Sequence, residues 1–327
     1  PIQDGDAVIG AVVFTKPLSE LSETANSLNL TLAVSTLAAF LIMLVPGWFA
    51  AKRLVVPIRQ MRDVAQAMAR GDFTVRADAS QKGEIGELGR SMNHFAAESG
   101  RLEQTRRDYV ANVSHELRTP IAAIRAMGET LRDGMAKTDA KKELFYSHIV
   151  RESMRLSRLV DDLLELSRLQ SGTEAMQKQP FDLREVVRNA AEVYSHIADE
   201  AGLRFVLAAD MDAPAPVFSN PDRVEQVLVI LLDNAIKHTP PAGAVTLRVT
   251  KLEDHAELCV ANAGEGVPEE DLPYIFERFY TVDKSHSGGG TGLGLSIARE
   301  ILRGLDESIR VEAGGGETRF LLTVHTQ

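Results

Sequence analysis

His115, Glu116 and Thr119, spaced along one short segment, have the residue types for phosphoryl chemistry. They lie in the string Asn112-Val113-Ser114-His115-Glu116-Leu117-Arg118-Thr119-Pro120. Neutral imidazole attacks phosphorus through one ring nitrogen when an acceptor holds the other, protonated nitrogen. Glu116 is the adjacent acid. Neighbouring helical positions diverge by about 100°, so the contact needs long side chains and a local bend. Pro120 supplies a weak point, because it cannot donate to the carbonyl of Glu116. Thr119, one turn beyond His115 on the same face, could orient a water against a phosphoryl group and so favour hydrolysis over transfer. Arg118 reads as a solvated charge, the commoner case, or as a contact to incoming phosphate. A lone helical histidine is ordinarily a solvated or capping side chain; the neighbours single this one out.

A phosphoryl donor needs its own cradle, and three further segments have the chemistry for one. Residues 233–240 read DNAIKHTP and close a helix that starts near Asp222. The amide oxygen of Asn234 suits Mg²⁺, a hard cation that keeps several waters and shares a nucleotide's phosphates. Lys237, one turn on, can offset phosphate charge. Residues 262–268 read NAGEGVP after a strand: Asn262 can offer both amide groups to a base edge, and Gly264 and Gly266 allow close backbone approach. Residues 287–294 read SGGGTGLG and open a helix, whose N-terminal N–H groups suit phosphate oxygens. Between the two glycine clusters lies IFERFY, whose Phe276 and Phe279 are expected to pack a mobile lid over the nucleotide.

Helical seams and short strands must position these groups. Val110, Val113, Leu117, Ile121, Ile124 and Leu131 recur at three- and four-residue steps. A loop with Gly134 follows, and Leu156, Leu159, Leu163 and Leu166 resume the spacing. So slender a hairpin cannot enclose a core, and two copies are expected to pair as a four-helix bundle. From about Pro180 helical stretches (182–201, 221–237, 292–303) alternate with strands (204–207, 245–251, 256–261, 308–312, 320–324). The pattern predicts an α/β domain with helices packed on one mixed sheet.

At 327 residues the chain has room for several domains. Its net charge of −10 argues against nucleic-acid binding, which calls for a basic face. Cys259 is the single cysteine, so neither an intrachain disulfide nor a multi-cysteine metal site can form. Residues 24–51 carry no charge, and 28–50 are mostly Leu, Ala, Val, Ile and Phe, long enough to span a membrane. A buried core helix of this length rarely lacks a charge, and a signal peptide is shorter and nearer the start. Acidic Asp4, Asp6, Glu20 and Glu23 precede the span; Lys52, Arg53, Arg59, Arg62 and Arg70 follow it. The positive-inside bias puts everything after Lys52 in the cytoplasm. The chain begins at Pro1, and 9–14 read as a strand at the end of an extracytoplasmic portion that continues upstream.

After the span, Ile58, Met61, Ala65 and Met68 form one seam, Gly71-Asp72 breaks it, and Ile85, Leu88, Met92 and Phe95 form another. With Pro57 and the run Gly83-Glu84-Ile85-Gly86-Glu87-Leu88, this resembles a HAMP linker; a generic coiled coil fits the same spacing. Either is a dimeric rod relaying motion from the membrane.

SHELRTP, preceded by Tyr109 and followed by Ile121, closely resembles the H box of the sensor histidine kinases of two-component systems. The segments downstream come in that family's order: N box, first glycine box, aromatic box, second glycine box. Together they resemble its Bergerat-type ATP-binding fold over nearly all of 101–327. The resemblance implies a protein-histidine kinase working with ATP and Mg²⁺, with His115 as phospho-acceptor, Glu116 as general base and Thr119 as a phosphatase residue acting on a response regulator. It implies Mg²⁺ on Asn234, phosphate on Lys237, adenine on Asn262, and phosphates cradled by Gly290, Gly292 and Gly294, with His238, Leu293 and Thr318 among the nucleotide's contacts. The architecture expected is multidomain: the end of an extracytoplasmic region (1–27), a transmembrane helix (28–51), a HAMP linker and connecting helix (52–105), a dimerising phosphotransfer hairpin (106–172) and an α/β sandwich ATP-binding domain (180–327). The implied partners are a second copy of the chain, the receiver domain of a response regulator and the inner membrane. Three departures stand out. Ile230 replaces a common asparagine, Asn262 a frequent aspartate and Glu317 a frequent glycine, which predicts an active but weaker kinase. A net phosphatase with ATP as conformational effector remains the alternative.

Overall fold

The computed structural model describes residues 2–14, 18–171, 176–208, 215–282 and 290–326. Pro1, Lys16 and Ser287 to Gly289, the start of the predicted glycine run, lie outside them. The chain divides into two compact units, Pro1–Arg107 and Asp108–Gln327.

In the first unit a small antiparallel pair, β1 (Ile2–Asp4) and β2 (Ala7–Gly10), precedes a long helix α1 (Leu18–Ala50). The strand expected over 9–14 therefore covers only the end of β2. Pro46 sits inside α1, and a π-helical stretch at Ala51–Val55 joins it to α2 (Val56–Ala69). Among the described residues one helical stretch, Ala25–Ala69, is long and apolar enough to cross a membrane, and its apolar window is wholly exposed. A helix suits that role because every backbone polar group is paired within the segment.

An extended connector follows, then α3 (Glu84–Arg132). The connector is pinned by Asn93, whose side chain accepts from Ala77 N at 2.7 Å and donates to Ala77 O at 3.0 Å. Gly86 and Gly89 make the approach possible: a Cβ on Gly86 would collide with the Gln81 carbonyl, and one on Gly89 would lie 2.8 Å from Asp78 O. Met61, Met68 and Ala96 are buried, whereas Leu88 and Phe95 of the second predicted seam are exposed.

In the second unit α3 and α4 (Asp139–Ser171) form the predicted hairpin, turning at Gly134 with φ +67°. The α/β domain holds five strands in the order β4 (Arg204–Leu207), β6 (Ala244–Lys251), β7 (His255–Ala263), β9 (Glu317–His325), β8 (Ser308–Gly314). The β4–β6 pair is parallel and the others antiparallel. Helices α5 (Leu183–Glu200), α6 (Pro221–His238) and α7 (Gly294–Gly304) bury their apolar faces on the sheet around Leu228, Leu232, Leu247, Leu258 and Phe320. Local signals start two of these helices. Asp182 caps α5 by accepting from Arg184 N, and Asn220 caps α6 by accepting from Arg223 N, with Pro221 in the first turn. A short antiparallel pair, β3 (Gln179–Asp182) with β5 (Pro216–Ser219), was not legible in the sequence. Its two strands are only four residues each, and each contains a proline.

Candidate active site and the family of the chain

His115 lies mid-way along α3, with its side chain 67% exposed. Its Nδ1 faces Glu116 Oε1 at 3.9 Å, so the long side chains close the 100° divergence between adjacent positions. The carboxylate has a second partner that the sequence did not suggest: Arg155 Nη2, on α4, lies 3.6 Å from Glu116 Oε2. The Thr119 hydroxyl donates back to the carbonyl of His115 at 3.3 Å, and Pro120 is buried within an unbroken helix.

Three predicted sites meet at the open end of α6. Asn234, half-buried, and Lys237, exposed, lie on its last turns. A Cβ on Gly290 would run into the Lys237 ammonium, so the side chain spans towards the second glycine cluster. Gly292 has φ +68°, and a Cβ there would sit 2.8 Å from the Phe279 backbone, whose N–H donates to Gly292 O at 2.9 Å. That bond holds Phe279 itself at φ +61°, a strained value for a bulky residue. Buried Leu293 precedes α7, which opens at Gly294. A Cβ on Gly294 would lie 3.3 Å from Ile230 Cγ2, so an apolar contact stands where the family commonly has an amide.

The other end of the site is built on the sheet. Asn262 and Thr318 are direct cross-strand partners on β7 and β9, each 5% exposed. The Thr318 hydroxyl is 3.9 Å from the place a Gly266 Cβ would occupy, and a Gly264 Cβ would lie 3.3 Å from the His238 carbonyl. Gly266 has φ +82°, a backbone conformation suited to glycine.

The aromatic box divides its work. Phe276 is buried edge-on against Phe320, with ring centroids 6.3 Å apart, and anchors the base of the segment in the core. Phe279 turns to the hairpin and meets Tyr109 at 5.9 Å, while Arg278 lies over the same tyrosine ring at 5.4 Å. A hydroxyl of the glycine cluster joins this seam: Thr291 donates to Asp162 of α4 at 2.9 Å. Burial pushes the Asp162 carboxyl above its ordinary range, and the Thr291 bond works the other way. Nearby, Arg223 of α6 pairs with Glu165 of α4. Behind α6, Tyr194 donates to Asp233 at 2.7 Å; burial first, then that carboxylate, drives its phenol well above the usual range. Tyr280 is pushed up to about 12, chiefly by its hydrogen bond to Asp271.

The residues fit a magnesium–nucleotide pair. Lys237, admitted by the missing Cβ of Gly290, supplies a cation, and Asn234 a neutral oxygen, the donor types that suit phosphates and a hard cation. Among the described residues no group of three or more His, Cys, Asp or Glu could hold a metal ion.

Three families match successive stretches of the chain: the HAMP domain over residues 49–98, the His Kinase A (phospho-acceptor) domain over 105–172, and the histidine kinase-, DNA gyrase B-, and HSP90-like ATPase over 219–327. The probable sensor histidine kinase TcrY of Mycobacterium tuberculosis is 31% identical, over 98% of this chain and 70% of its own length. The chain belongs to the sensor histidine kinases. The signal transduction histidine-protein kinase BaeS of Escherichia coli is likewise 31% identical over 92% of the chain, which spans 65% of that relative's length. Among solved structures, histidine kinase ThkA in complex with response regulator protein TrrA aligns with a TM-score of 0.56 and 25% identity, covering 71% of this chain and 66% of that one. The multidomain architecture expected from the sequence is thus present, with the HAMP, phospho-acceptor and ATPase segments in the expected order.

Sequence reasoning missed Arg155, Asp162 and Thr291. The signal for the α4 pair was a polar stripe, Arg155, Arg158, Asp162 and Glu165, at helical spacing beside the leucine stripe.

Proposed function

We propose that this kinase is a membrane-anchored homodimer in which His115 takes the γ-phosphoryl group of Mg·ATP and passes it to an aspartate on a response regulator's receiver domain. The observation that carries the reading is the pairing of an exposed His115, its Nδ1 facing Glu116 at 3.9 Å, with a glycine-cradled domain packed on the same hairpin. Glu116 holds the Nδ1 proton side of the ring and turns Nε2 towards a donor. Asn234 and Lys237 would hold the metal and the phosphates, and the metal would neutralise charge building on the phosphoryl oxygens. Asn262, Gly264, Gly266 and Thr318 would receive the adenine; Gly290, Gly292 and the α7 N-terminus would receive phosphates, flanked by His238 and Leu293. Thr119 would serve hydrolysis of the regulator's phosphoryl group.

The complex of ThkA with TrrA supports a receiver-domain partner. The exposed stripe of the hairpin supports pairing with a second copy, and the exposed apolar helix with cationic Lys52 and Arg53 at its end supports anchoring in the inner membrane, catalytic part inward. The test uses the full chain in detergent micelles with γ-labelled ATP. Acid-labile, base-stable label that disappears in His115→Gln supports the reading. A parent chain that binds nucleotide without labelling refutes kinase activity and leaves the phosphatase alternative. Label persisting in His115→Gln refutes the site.

A further inference from the structure

Glu116 is next to His115 in sequence, yet adjacency alone does not aim a carboxylate. The side chain has three rotatable bonds and starts about 100° away around the helix. What limits it in the structure comes from the other arm of the hairpin. Arg155 Nη2 is 3.6 Å from Glu116 Oε2, while Glu116 Oε1 is 3.9 Å from His115 Nδ1. We propose that Arg155 is a positioning residue for phosphoryl transfer: by occupying one oxygen of Glu116 it leaves the other for the Nδ1 side of His115. The proposal rests on the reading of His115 as phosphoryl acceptor.

Exposure separates this pair from an ordinary surface ion pair. The Glu116 and Arg155 side chains are 16% and 18% exposed, against 67% for His115. Surface pairs contribute little, because water competes and long side chains resist being held. Here little water reaches the carboxylate, so a missing guanidinium would not be replaced by solvent, and the carboxylate would turn outward to find some. The same shielding argues against Arg155 as a docking cation for incoming phosphate, which an exposed Arg118 suits better.

The step balances within these groups. His115 Nε2 forms the bond to the γ-phosphorus, the bond from that phosphorus to the bridging oxygen breaks, and its electron pair leaves with ADP. The imidazole gains positive charge as the bond forms, and its Nδ1 proton passes to Glu116 Oε1. Orientation is what Arg155 contributes.

The experiment compares Arg155→Ala, Arg155→Lys, Glu116→Gln and the Arg155→Ala/Glu116→Gln double variant in the full chain in detergent. Initial phosphohistidine formation is measured against Mg·ATP concentration, and in parallel with phosphoramidate as donor, which transfers its phosphoryl group to histidine and releases ammonia without the ATP-binding domain. Arg155→Ala is expected to lower the saturating rate about tenfold, less than the ~10²-fold that a 1 Å misplacement can cost, with half-saturation by Mg·ATP moved by less than about twofold. Arg155→Lys should recover most of the rate. In the Glu116→Gln background Arg155→Ala should change nothing further, and phosphoramidate should repeat the pattern. Multiplying effects in the double variant would overturn the proposal. So would a raised half-saturation at an unchanged saturating rate, which marks a phosphate contact, or a wild-type rate with only a lowered melting temperature, which marks a staple between the arms. If ATP labels nothing in the parent chain, the kinase reading fails, and the phosphoramidate series still decides the role of Arg155.

Discussion

Leu228, Leu232, Leu247 and Leu258 of the α/β domain are fully buried, whereas Tyr146, Val150, Met154 and Leu164 of α4 are more than half exposed. The domain closes its core within one chain, because three amphipathic helices cover one face of a five-stranded sheet. Two helical arms have no third layer, so each hairpin keeps an apolar stripe open. The α4 face that is covered, at Leu159 and Leu166, is covered by the α/β domain itself. One hairpin thus offers two surfaces of different kinds: an intrachain seam laced with Thr291–Asp162, Arg223–Glu165 and the Tyr109 ring contacts, and an open stripe without such polar ties.

The largest test of this contrast is Leu258→Ala, which should cost about 2–5 kcal/mol in urea unfolding of the full chain in detergent, because the site has no route to solvent. A loss under about 1 kcal/mol would mean that the core is looser than its burial implies. Next comes Gly292→Ala. A side chain at φ +68° costs about 1–2 kcal/mol even before its clash with the Phe279 backbone, and fluorescent-nucleotide titration should show weakened binding. Unchanged binding would remove Gly292 from the cradle.

Tyr109→Ala removes the ring shared by Phe279 and Arg278. A loss of about 1 kcal/mol is expected, with calorimetry resolving the hairpin and domain transitions into separate peaks. A single unchanged peak would locate the coupling elsewhere, at Asp162 and Thr291. The pH test concerns Asp182, whose carboxyl is lowered to about 2, chiefly by the Arg184 side chain. A depressed folded-state value means its stabilisation is present above the ordinary aspartate range and fades as pH falls from about 4 towards 2. Asp182→Asn should flatten that part of the acid-unfolding profile; an unchanged profile would show that other carboxylates govern it. The smallest intrachain effect belongs to Val150→Ser on the open stripe, near zero in unfolding of the monomer but visible as weakened self-association in sedimentation. If self-association is unaffected, the stripe is not the pairing surface.

Much of this organisation was readable along the chain. The sheet strands came out within a few residues, the helices α5 to α7 nearly so, and the hairpin turned at Gly134 as expected. Apolar periodicity and Gly/Pro punctuation are local properties, so they survive in the one-dimensional record. The misses were those that depend on neighbours. Phe276 was expected in a lid and lies instead against Phe320, because a buried aromatic and a lid aromatic look alike in sequence.

The amino-acid sequence by itself determined the order of the elements, the motif around His115 and the glycine-rich runs that singled out candidates, and the reach of the apolar helix. Each depends on residues a few positions apart. Only the tertiary structure decided that Arg155 faces Glu116, that Thr291 is tied to Asp162 and that Asn262 lies opposite Thr318. Those pairings join distant segments whose side chains meet only once helix faces pack and strand register is set. Register and facing are decided by the burial of whole surfaces, which no single motif records.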